Sequence, residues 1–162
     1  MELPTTQLAP TFGAEVLSLD LSGPPDSETI EGIKALWAKH QILLFRKQFL
    51  EEEDLVRFSA ALGKLEIHVR HEFLSPDHPE VLFISNIIEN GRPIGILSDT
   101  EVGWHIDQIY LTRPATGSLL YSVRLPSKGG QTSFADMTAA YEALPDEMKM
   151  MLDGRRAVQS YE

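Results

Sequence analysis

The fold and the chemistry of this chain are indicated most directly by the stretch Gly103-Trp104-His105-Ile106-Asp107. Side chains two residues apart leave the same face of a β-strand, so a strand here would place the His105 imidazole beside the Asp107 carboxylate. These two groups could then bind one metal ion together. The alternative interpretation is a surface histidine that pairs with a nearby aspartate, since short motifs of this kind also arise by chance.

The neighbouring residues place this stretch near a junction between a loop and a strand. The preceding segment, 95–103, is polar and contains glycine, as is typical of a loop. The apolar residues that follow, Ile106, Ile109 and Leu111, are interleaved with polar residues and Tyr110. A histidine and a carboxylate, completed by one more histidine, form the facial triad of non-heme Fe(II) oxygenases, which leaves coordination positions open. The stretch is therefore a candidate metal site.

The composition limits the classes of protein to be considered. The chain has 162 residues, of which 43% are hydrophobic and 23% charged, which is ordinary for a globular domain with its own core. The formal net charge is -10, which argues against binding to nucleic acid or to an anionic membrane, because phosphate groups need a basic surface. The sequence contains no cysteine, so disulfides, thiolate metal sites and thiol nucleophiles are excluded.

The sequence shows no signal for export or for membrane insertion. No apolar run approaches the length of a membrane span, and the segment 1–6 has neither a basic region nor an apolar core. There is no internal repeat and no linker. We therefore predict one cytoplasmic domain over 1–162, with a homo-oligomer as a possible assembly.

Apolar patterns along the chain predict short strands and a few helices. We predict β-strands over 12–21, 41–46, 80–88, 104–111, 116–125 and 131–135. We predict helices that begin at Ser27, that run over 51–62, from Asp136 to Leu144, and from Pro145 to Gly154. Ser27 and Asp136 are the expected N-caps, and Asn90-Gly91 is the expected turn of a hairpin. Strands and helices do not alternate strictly, so the pattern favours a mainly antiparallel β core with peripheral helices.

Three segments of the chain resemble the taurine dioxygenase family, which is also named for the 2,4-dichlorophenoxyacetate dioxygenases. The family's Trp-His-x-Asp motif is similar to 104–107, and its Pro-x-x-Gly-Gly-x-Thr motif is similar to 126–132. The helix that follows in the family is similar to 134–144, and the resemblance extends over nearly the whole chain. It implies a double-stranded β-helix, or jelly roll, and an oxygenase that depends on Fe(II) and uses 2-oxoglutarate and O2 as cosubstrates.

The resemblance also implies roles for individual residues. His105 and Asp107 would be two of the three iron ligands and the catalytic pair, and Thr132 would hydrogen-bond a carboxylate of 2-oxoglutarate. His68 matches the histidine that contacts substrate in taurine-type members, and Trp104 would line the same pocket. From the residues alone, Thr132 is favoured as a strand residue after a glycine loop. His68 has the alternative of a strand-edge histidine, and Trp104 could equally be a core tryptophan.

The chain departs from the family pattern in two respects. His71 and Glu101 stand where taurine-type members carry a substrate-contacting tyrosine and asparagine, so both are candidate substrate contacts and taurine itself is not the expected substrate. The family's distal iron histidine and its carboxylate-binding arginine have no counterpart among these 162 residues. We therefore expect a single oxygenase domain that lacks its C-terminal part, with the jelly roll incomplete in this chain.

The predicted function is hydroxylation of a small organic acid, with conversion of 2-oxoglutarate to succinate and CO2. We expect an anionic small-molecule substrate as the partner, and neither nucleic acid nor a membrane. The alternative is a non-catalytic protein that binds a small molecule on the same fold, because the distal metal ligand is missing. A hydrolase with a His-Asp dyad is a weaker alternative, because the sequence has neither Gly-x-Ser-x-Gly nor a cysteine nucleophile.

Overall fold

The structure is a computed structural model, and it describes residues 3–97 and 100–160. Ser98 and Asp99, which belong to the predicted loop over 95–103, lie outside the described residues. The chain divides into two compact units, Met1–His105 and Ile106–Glu162. The first unit contains the strands β1 (Thr5–Gln7), β2 (Ala14–Val16), β3 (Leu43–Phe45), β4 (Ile88–Glu89) and β5 (Arg92–Pro93), the helices α1 (Ser27–His40) and α2 (Glu52–Leu62), and a 3-10 helix (His71–Phe73). The second unit contains the helices α3 (Met137–Glu142) and α4 (Asp146–Leu152).

A three-stranded sheet of mixed direction organises the first unit. β1 pairs antiparallel with β2, and β2 pairs parallel with β3, so that Ala14 lies opposite Leu43 and Val16 lies opposite Phe45. Two parallel strands cannot be joined by a tight turn, and α1 lies in the connection between β2 and β3. The strands predicted within 12–21 and 41–46 are therefore confirmed, although each is only three residues long.

The core of the first unit is formed by apolar residues of the sheet, of the two long helices and of the flanking segments. The buried members are Leu3, Val16, Leu21, Ile30, Ile33 and Phe58. Ile30 and Ile33 are three positions apart and so share one face of α1. Phe58 is 1% exposed, and its ring meets that of Phe45 edge-on with the ring centres 6.0 Å apart. These contacts join α1, α2 and the sheet into one unit.

The N-cap of α1 is Asp26, so the prediction of Ser27 is wrong by one residue. Asp26 Oδ1 accepts a hydrogen bond from the Thr29 amide at 2.8 Å, and Oδ2 accepts one from the Thr29 hydroxyl at 2.9 Å. The bond from the amide is the main reason why the pKa of Asp26 is lowered, and the bond from the hydroxyl adds to it. A carboxylate also suits the positive end of a helix, which explains why aspartate takes this position.

Removal of this cap is expected to destabilise the first unit in a pH-dependent way. Because folding lowers the pKa of Asp26 below its ordinary value of 3.8, the charged cap stabilises the fold above that pH, and this stabilisation is lost as the pH falls through the lower folded value. Asp26→Ala should therefore reduce the free energy of unfolding at neutral pH and have a smaller effect in acid. Urea unfolding across the pH range measures this, with Asp26→Asn as the uncharged cap for comparison. An effect of Asp26→Ala that is equal at every pH would contradict the prediction.

Helix α2 begins and ends where its sequence indicates. Asp54 Oδ2 accepts a hydrogen bond from the Glu51 amide at 3.0 Å, as the third helical residue does in a capping box. Gly63 is the C-cap, and its amide donates to the Ser59 carbonyl at 3.2 Å. The predicted helix over 51–62 is therefore confirmed, with Glu51 as its N-cap.

A short hairpin joins β4 to β5 through Asn90 and Gly91. Both residues have a positive φ, 51° and 76°, and Asn-Gly is the pair that most readily adopts such a two-residue turn. The predicted hairpin turn is confirmed. The predicted strand over 80–88 is mostly absent, because this segment contributes only the first residue of β4 and one isolated bridge, between Leu74 and Leu82.

The strands predicted around the His-x-Asp stretch and beyond it are absent. Among the described residues, the segments 104–111, 116–125 and 131–135 take part in neither sheet. A strand forms only when its backbone groups pair with a neighbour, so alternating side chains alone do not produce one. Gln108 also has a φ of 51°, which interrupts an extended backbone. These three predictions are wrong for the structure described here.

Both predicted helices of the second unit are confirmed. Asp136 is the N-cap of α3, and its Oδ1 accepts a hydrogen bond from the Ala139 amide at 2.9 Å. Pro145 precedes the first residue of α4 as its N-cap. Lys149 of α4 donates a hydrogen bond to the carbonyl oxygen of Glu142 at 2.9 Å, which joins the two helices.

The described residues contain less β-structure than the mainly β chain that the sequence predicts. The sheets are small, and more of the described residues lie in helices than in strands. In the described part of the second unit no residue is fully buried, and the large apolar side chains that are more than half exposed include those of Leu120, Val123, Leu125, Phe134 and Val158. The described residues include no helix long and apolar enough to cross a membrane.

Candidate functional site

His105 ends the first unit, in a segment without regular secondary structure, and it is exposed. Its Nδ1 lies 2.8 Å from the carbonyl oxygen of Gly103. Because a carbonyl oxygen only accepts, Nδ1 carries the proton in this contact, and a neutral ring then has its lone pair on Nε2. Histidines that bind metal commonly donate their other ring N–H to such a carbonyl, so this contact suits a ring that binds through Nε2.

Asp107 begins a turn over 107–110 in the second unit and is also exposed. The hydroxyl of Ser118 donates a hydrogen bond to Asp107 Oδ2 at 2.6 Å, a length typical of a hydroxyl bound to a charged carboxylate. The Leu111 amide donates to the Gln108 carbonyl at 3.0 Å, within the segment that follows. The Ser118 hydroxyl thus orients the carboxylate through a contact that lies within the second unit.

The sharing of one ion by His105 and Asp107 stays a prediction, since the two residues belong to different units. The argument from a common strand face is wrong, because neither residue lies in a strand. In the ranges 3–97 and 100–160 there is no group of three or more histidine, cysteine, aspartate or glutamate side chains that could hold a metal ion. The pairing of these two ligands therefore rests on their separation of two residues in the chain.

His68 lies in the loop after α2 and is half-buried. Its Nδ1 accepts a hydrogen bond from the Arg70 amide at 3.1 Å. An amide N–H only donates, so a neutral His68 ring carries its proton on Nε2, which makes that atom a hydrogen-bond donor. A ring in this tautomer suits the predicted contact with an anionic group of a substrate.

His71 and Glu101, the other candidate substrate contacts, are both exposed. His71 is the first residue of the 3-10 helix, beside an ion pair in which Arg70 Nε lies 2.6 Å from Glu72 Oε1. A hydrogen bond from its own backbone amide, followed by the bond from Arg70, lowers the pKa of Glu72. Glu101 lies in a segment without regular secondary structure. The roles of His71 and Glu101 in substrate binding stay predictions.

Trp104, a candidate substrate contact, and Thr132, the candidate 2-oxoglutarate contact, are both exposed. Trp104 is 75% exposed, so the interpretation as a core tryptophan is wrong. Thr132 follows Gly129 and Gly130, whose φ values are 80° and 72°. A Cβ at position 130 would lie 2.8 Å from Pro126 Cγ, so both the conformation and the space require glycine there. The positive φ values of the two glycines thus serve backbone geometry, and the Thr132 hydroxyl lies on an exposed segment that is not a strand.

The sequence contains no signal for the contact between Ser118 and the predicted metal ligand Asp107. Ser118 lies eleven positions from Asp107 and belongs to neither of the two short motifs. The contact depends on the path of the chain between these residues, which includes a turn at Gln108 with a positive φ. Local patterns do not indicate where such a path returns, so only the structure identifies Ser118.

The chain matches one family model, described as Taurine catabolism dioxygenase TauD, TfdA family, over residues 4–162. Pentalenolactone F synthase from Streptomyces avermitilis is 38% identical over 152 residues, which are 92% of this chain and 50% of that protein. The (S)-phenoxypropionate/alpha-ketoglutarate-dioxygenase from Sphingobium herbicidovorans is 31% identical over 169 residues, with 97% of this chain and 54% of that protein covered. The chain thus spans about half the length of the curated relatives it matches.

A solved structure agrees with these matches. The crystal structure of AAD-2 in complex with Mn(II) and N-oxalylglycine has a TM-score of 0.75 and 25% sequence identity to this chain. The match covers 94% of this chain and 56% of that one. Sequence and structure therefore confirm the resemblance that the segments 104–107 and 126–132 indicate.

Proposed function

The chain belongs to the taurine catabolism dioxygenase TauD, TfdA family, and from this premise we propose that it contributes the iron and 2-oxoglutarate site of a dioxygenase. The family uses Fe(II), 2-oxoglutarate and O2. The observation that carries the proposal is the family match over 4–162, because that range contains His105, Asp107 and Thr132. The similar structure that binds Mn(II) and N-oxalylglycine supports the same class of site.

The proposed fold is a double-stranded β-helix, or jelly roll, with peripheral helices, and 1–162 belongs to one oxygenase domain. The TM-score of 0.75 to AAD-2 supports this fold. The described residues form two small sheets, one of three strands and one of two. A cytoplasmic location and a homo-oligomer stay predictions from the sequence.

The donor atoms of the two proposed iron ligands fit a non-heme iron centre. His105 would bind through Nε2 and Asp107 through a carboxylate oxygen, which is the mixed nitrogen and oxygen set that such iron prefers. The Gly103 carbonyl and the Ser118 hydroxyl orient these two side chains through the atoms that would not bind the metal. His105 and Asp107 are thus the proposed metal ligands and catalytic residues.

Iron bound with 2-oxoglutarate and O2 would supply the oxidising chemistry, with succinate and CO2 as co-products and a hydroxylated substrate. The residues of this chain bind and orient the participants. The Thr132 hydroxyl would donate a hydrogen bond to one carboxylate of 2-oxoglutarate. The exposed Trp104 ring, next to His105 in the chain, would form part of the substrate pocket.

The proposed substrate is a small organic acid. Phenoxypropionate, for which one relative is named, is a carboxylate. The Nε2–H group of His68 would donate to such an anion, and the His71 imidazole is a second candidate donor. Glu101 would repel an anion, so its proposed contact is a hydroxyl or another hydrogen-bond donor of the substrate.

A non-catalytic protein that binds a small molecule is the second candidate. It is favoured by the finding that the described ranges hold no group of three or more metal-ligating side chains. The two candidates differ in their need for iron. The dioxygenase requires iron for tight binding of 2-oxoglutarate, whereas the binding protein takes up its ligand without it.

Thr132→Val is expected to weaken 2-oxoglutarate binding in the iron-loaded protein by roughly ten-fold or more. Valine keeps the shape of threonine but removes the hydroxyl, and a hydrogen bond to a charged group is worth about 1.5–3 kcal/mol. The affinity for Fe(II) itself should not change, because Thr132 is not a metal ligand. Anaerobic calorimetric titration with 2-oxoglutarate, with and without Fe(II), measures both effects.

Thr116→Val is the matched control for this titration, because Thr116 is also exposed and lies outside helices and strands. Its 2-oxoglutarate affinity should equal that of the unaltered chain. Equal affinities for Thr132→Val and Thr116→Val would refute the role of Thr132. Binding of 2-oxoglutarate that does not depend on Fe(II) would favour the second candidate.

A further inference from the structure

The carboxylate of Asp107 is held by a hydroxyl that belongs to none of the motifs. Ser118 Oγ donates to Asp107 Oδ2 at 2.6 Å, and both residues lie in the second unit. The terminal torsion of an aspartate is broad, so rotamer preference alone does not fix the plane of its carboxylate. The bond from Ser118 therefore restricts the rotation of the carboxylate plane.

The number of carboxylate oxygens that bind the metal determines how many coordination positions stay open at an iron site. A carboxylate that binds a metal through both oxygens occupies two coordination positions, and one that binds through a single oxygen occupies one. The facial triad functions because positions remain open for other ligands, so its carboxylate must bind through one oxygen. A hydroxyl that donates to Oδ2 reduces the electron density which that oxygen offers to a metal.

We propose that Ser118 is a positioning residue for Asp107, which holds the carboxylate in the orientation that binds the iron. The proposal rests on the function proposed above, in which Asp107 is an iron ligand. The 2.6 Å distance lies in the range of hydrogen bonds between a hydroxyl and a charged carboxylate, which are the strong ones. The Gly103 carbonyl would act on His105 in the same way, through the ring nitrogen that would not bind the metal.

The affinity of variants for Mn(II) tests the proposal without any measurement of turnover. Electron paramagnetic resonance measures free Mn(II) during titration of the protein that contains this chain together with the third metal ligand, and thermal unfolding is followed in parallel. Ser118→Ala removes the hydroxyl and should weaken Mn(II) binding about ten-fold, the lower limit of what such supporting contacts contribute. Ser118→Thr keeps a hydroxyl and should bind Mn(II) as the unaltered chain does.

Ser122→Ala is the matched control, because Ser122 is an exposed serine of the same unit. Weaker binding in Ser118→Ala alone, with rescue in Ser118→Thr and an unchanged unfolding temperature, supports the positioning role. If Ser118→Ala does not fold, Ser118→Cys replaces it in the same comparison, since a thiol is only a weak donor.

Two results would overturn the positioning role while leaving the iron site intact. The first is an unchanged affinity in Ser118→Ala, and the second is an equal loss in Ser118→Ala and Ser118→Thr, which would show that the hydroxyl is not the cause. A third result separates this proposal from the proposed function. If the unaltered chain binds Mn(II) no better than His105→Ala, the iron site itself is refuted, and the role of Ser118 with it.

Discussion

His105→Ala is expected to abolish stoichiometric Fe(II) binding in the complete protein, in which all three iron ligands are present. The substitution removes the imidazole that would bind through Nε2 and so deprives the proposed site of one of its protein ligands. A facial triad has only three protein ligands, so the loss of one removes a large part of the binding free energy. His105 is exposed, and its removal should leave the fold unchanged.

The iron content of the protein after anaerobic loading and desalting measures this effect. His40→Ala is the matched control, because His40 lies in the last turn of α1 and outside the proposed site. His40→Ala should retain as much iron as the unaltered protein. The two variants, His40→Ala and His105→Ala, should have the same unfolding temperature. Stoichiometric iron in His105→Ala would show that this histidine is not a ligand.

Phe58→Ala is expected to remove a large part of the free energy of unfolding of the first unit. Phe58 is 1% exposed and packs edge-on against Phe45, so its truncation leaves a cavity that the surrounding residues cannot fill completely. Such substitutions cost about 3–5 kcal/mol. A domain of ordinary stability unfolds with about 5–15 kcal/mol, so most or all of the stability would be lost if this unit lies at the low end.

Urea unfolding followed by circular dichroism measures the loss. Phe49→Ala is the matched control, because it removes the same side chain from a position that is 87% exposed. It should leave the free energy of unfolding close to that of the unaltered chain. Similar unfolding midpoints for Phe58→Ala and Phe49→Ala would mean that the core described here does not stabilise the protein.

The helices follow from the sequence because their signals are local. Each has apolar residues at helical spacing and a polar or proline residue at its start, and the hydrogen bonds of a helix join residues four apart. The error at α1, where Asp26 rather than Ser27 is the N-cap, is only one residue. The turn of the β4–β5 hairpin is equally local, because Asn90 and Gly91 adopt its positive φ values readily.

The sequence identified the residues of the candidate site but not their conformations. His105, Asp107 and Thr132 lie in short motifs whose resemblance to a family is confirmed by the match over 4–162. Their conformations did not follow, since the predicted strands that would have ordered them are absent from the described residues. The exposure of Trp104 likewise contradicts the expectation that a large aromatic side chain is buried.

The sequence by itself therefore determined the family, the chemistry of the candidate ligands and the elements that form from neighbouring residues. Only the tertiary structure decided which apolar segments become strands, because a strand requires hydrogen bonds to a partner that is distant in the chain. It also decided that the hydroxyl of Ser118 lies 2.6 Å from the Asp107 carboxylate, across eleven positions. Contacts of both kinds depend on the path of the intervening chain, and no local pattern of side chains specifies that path.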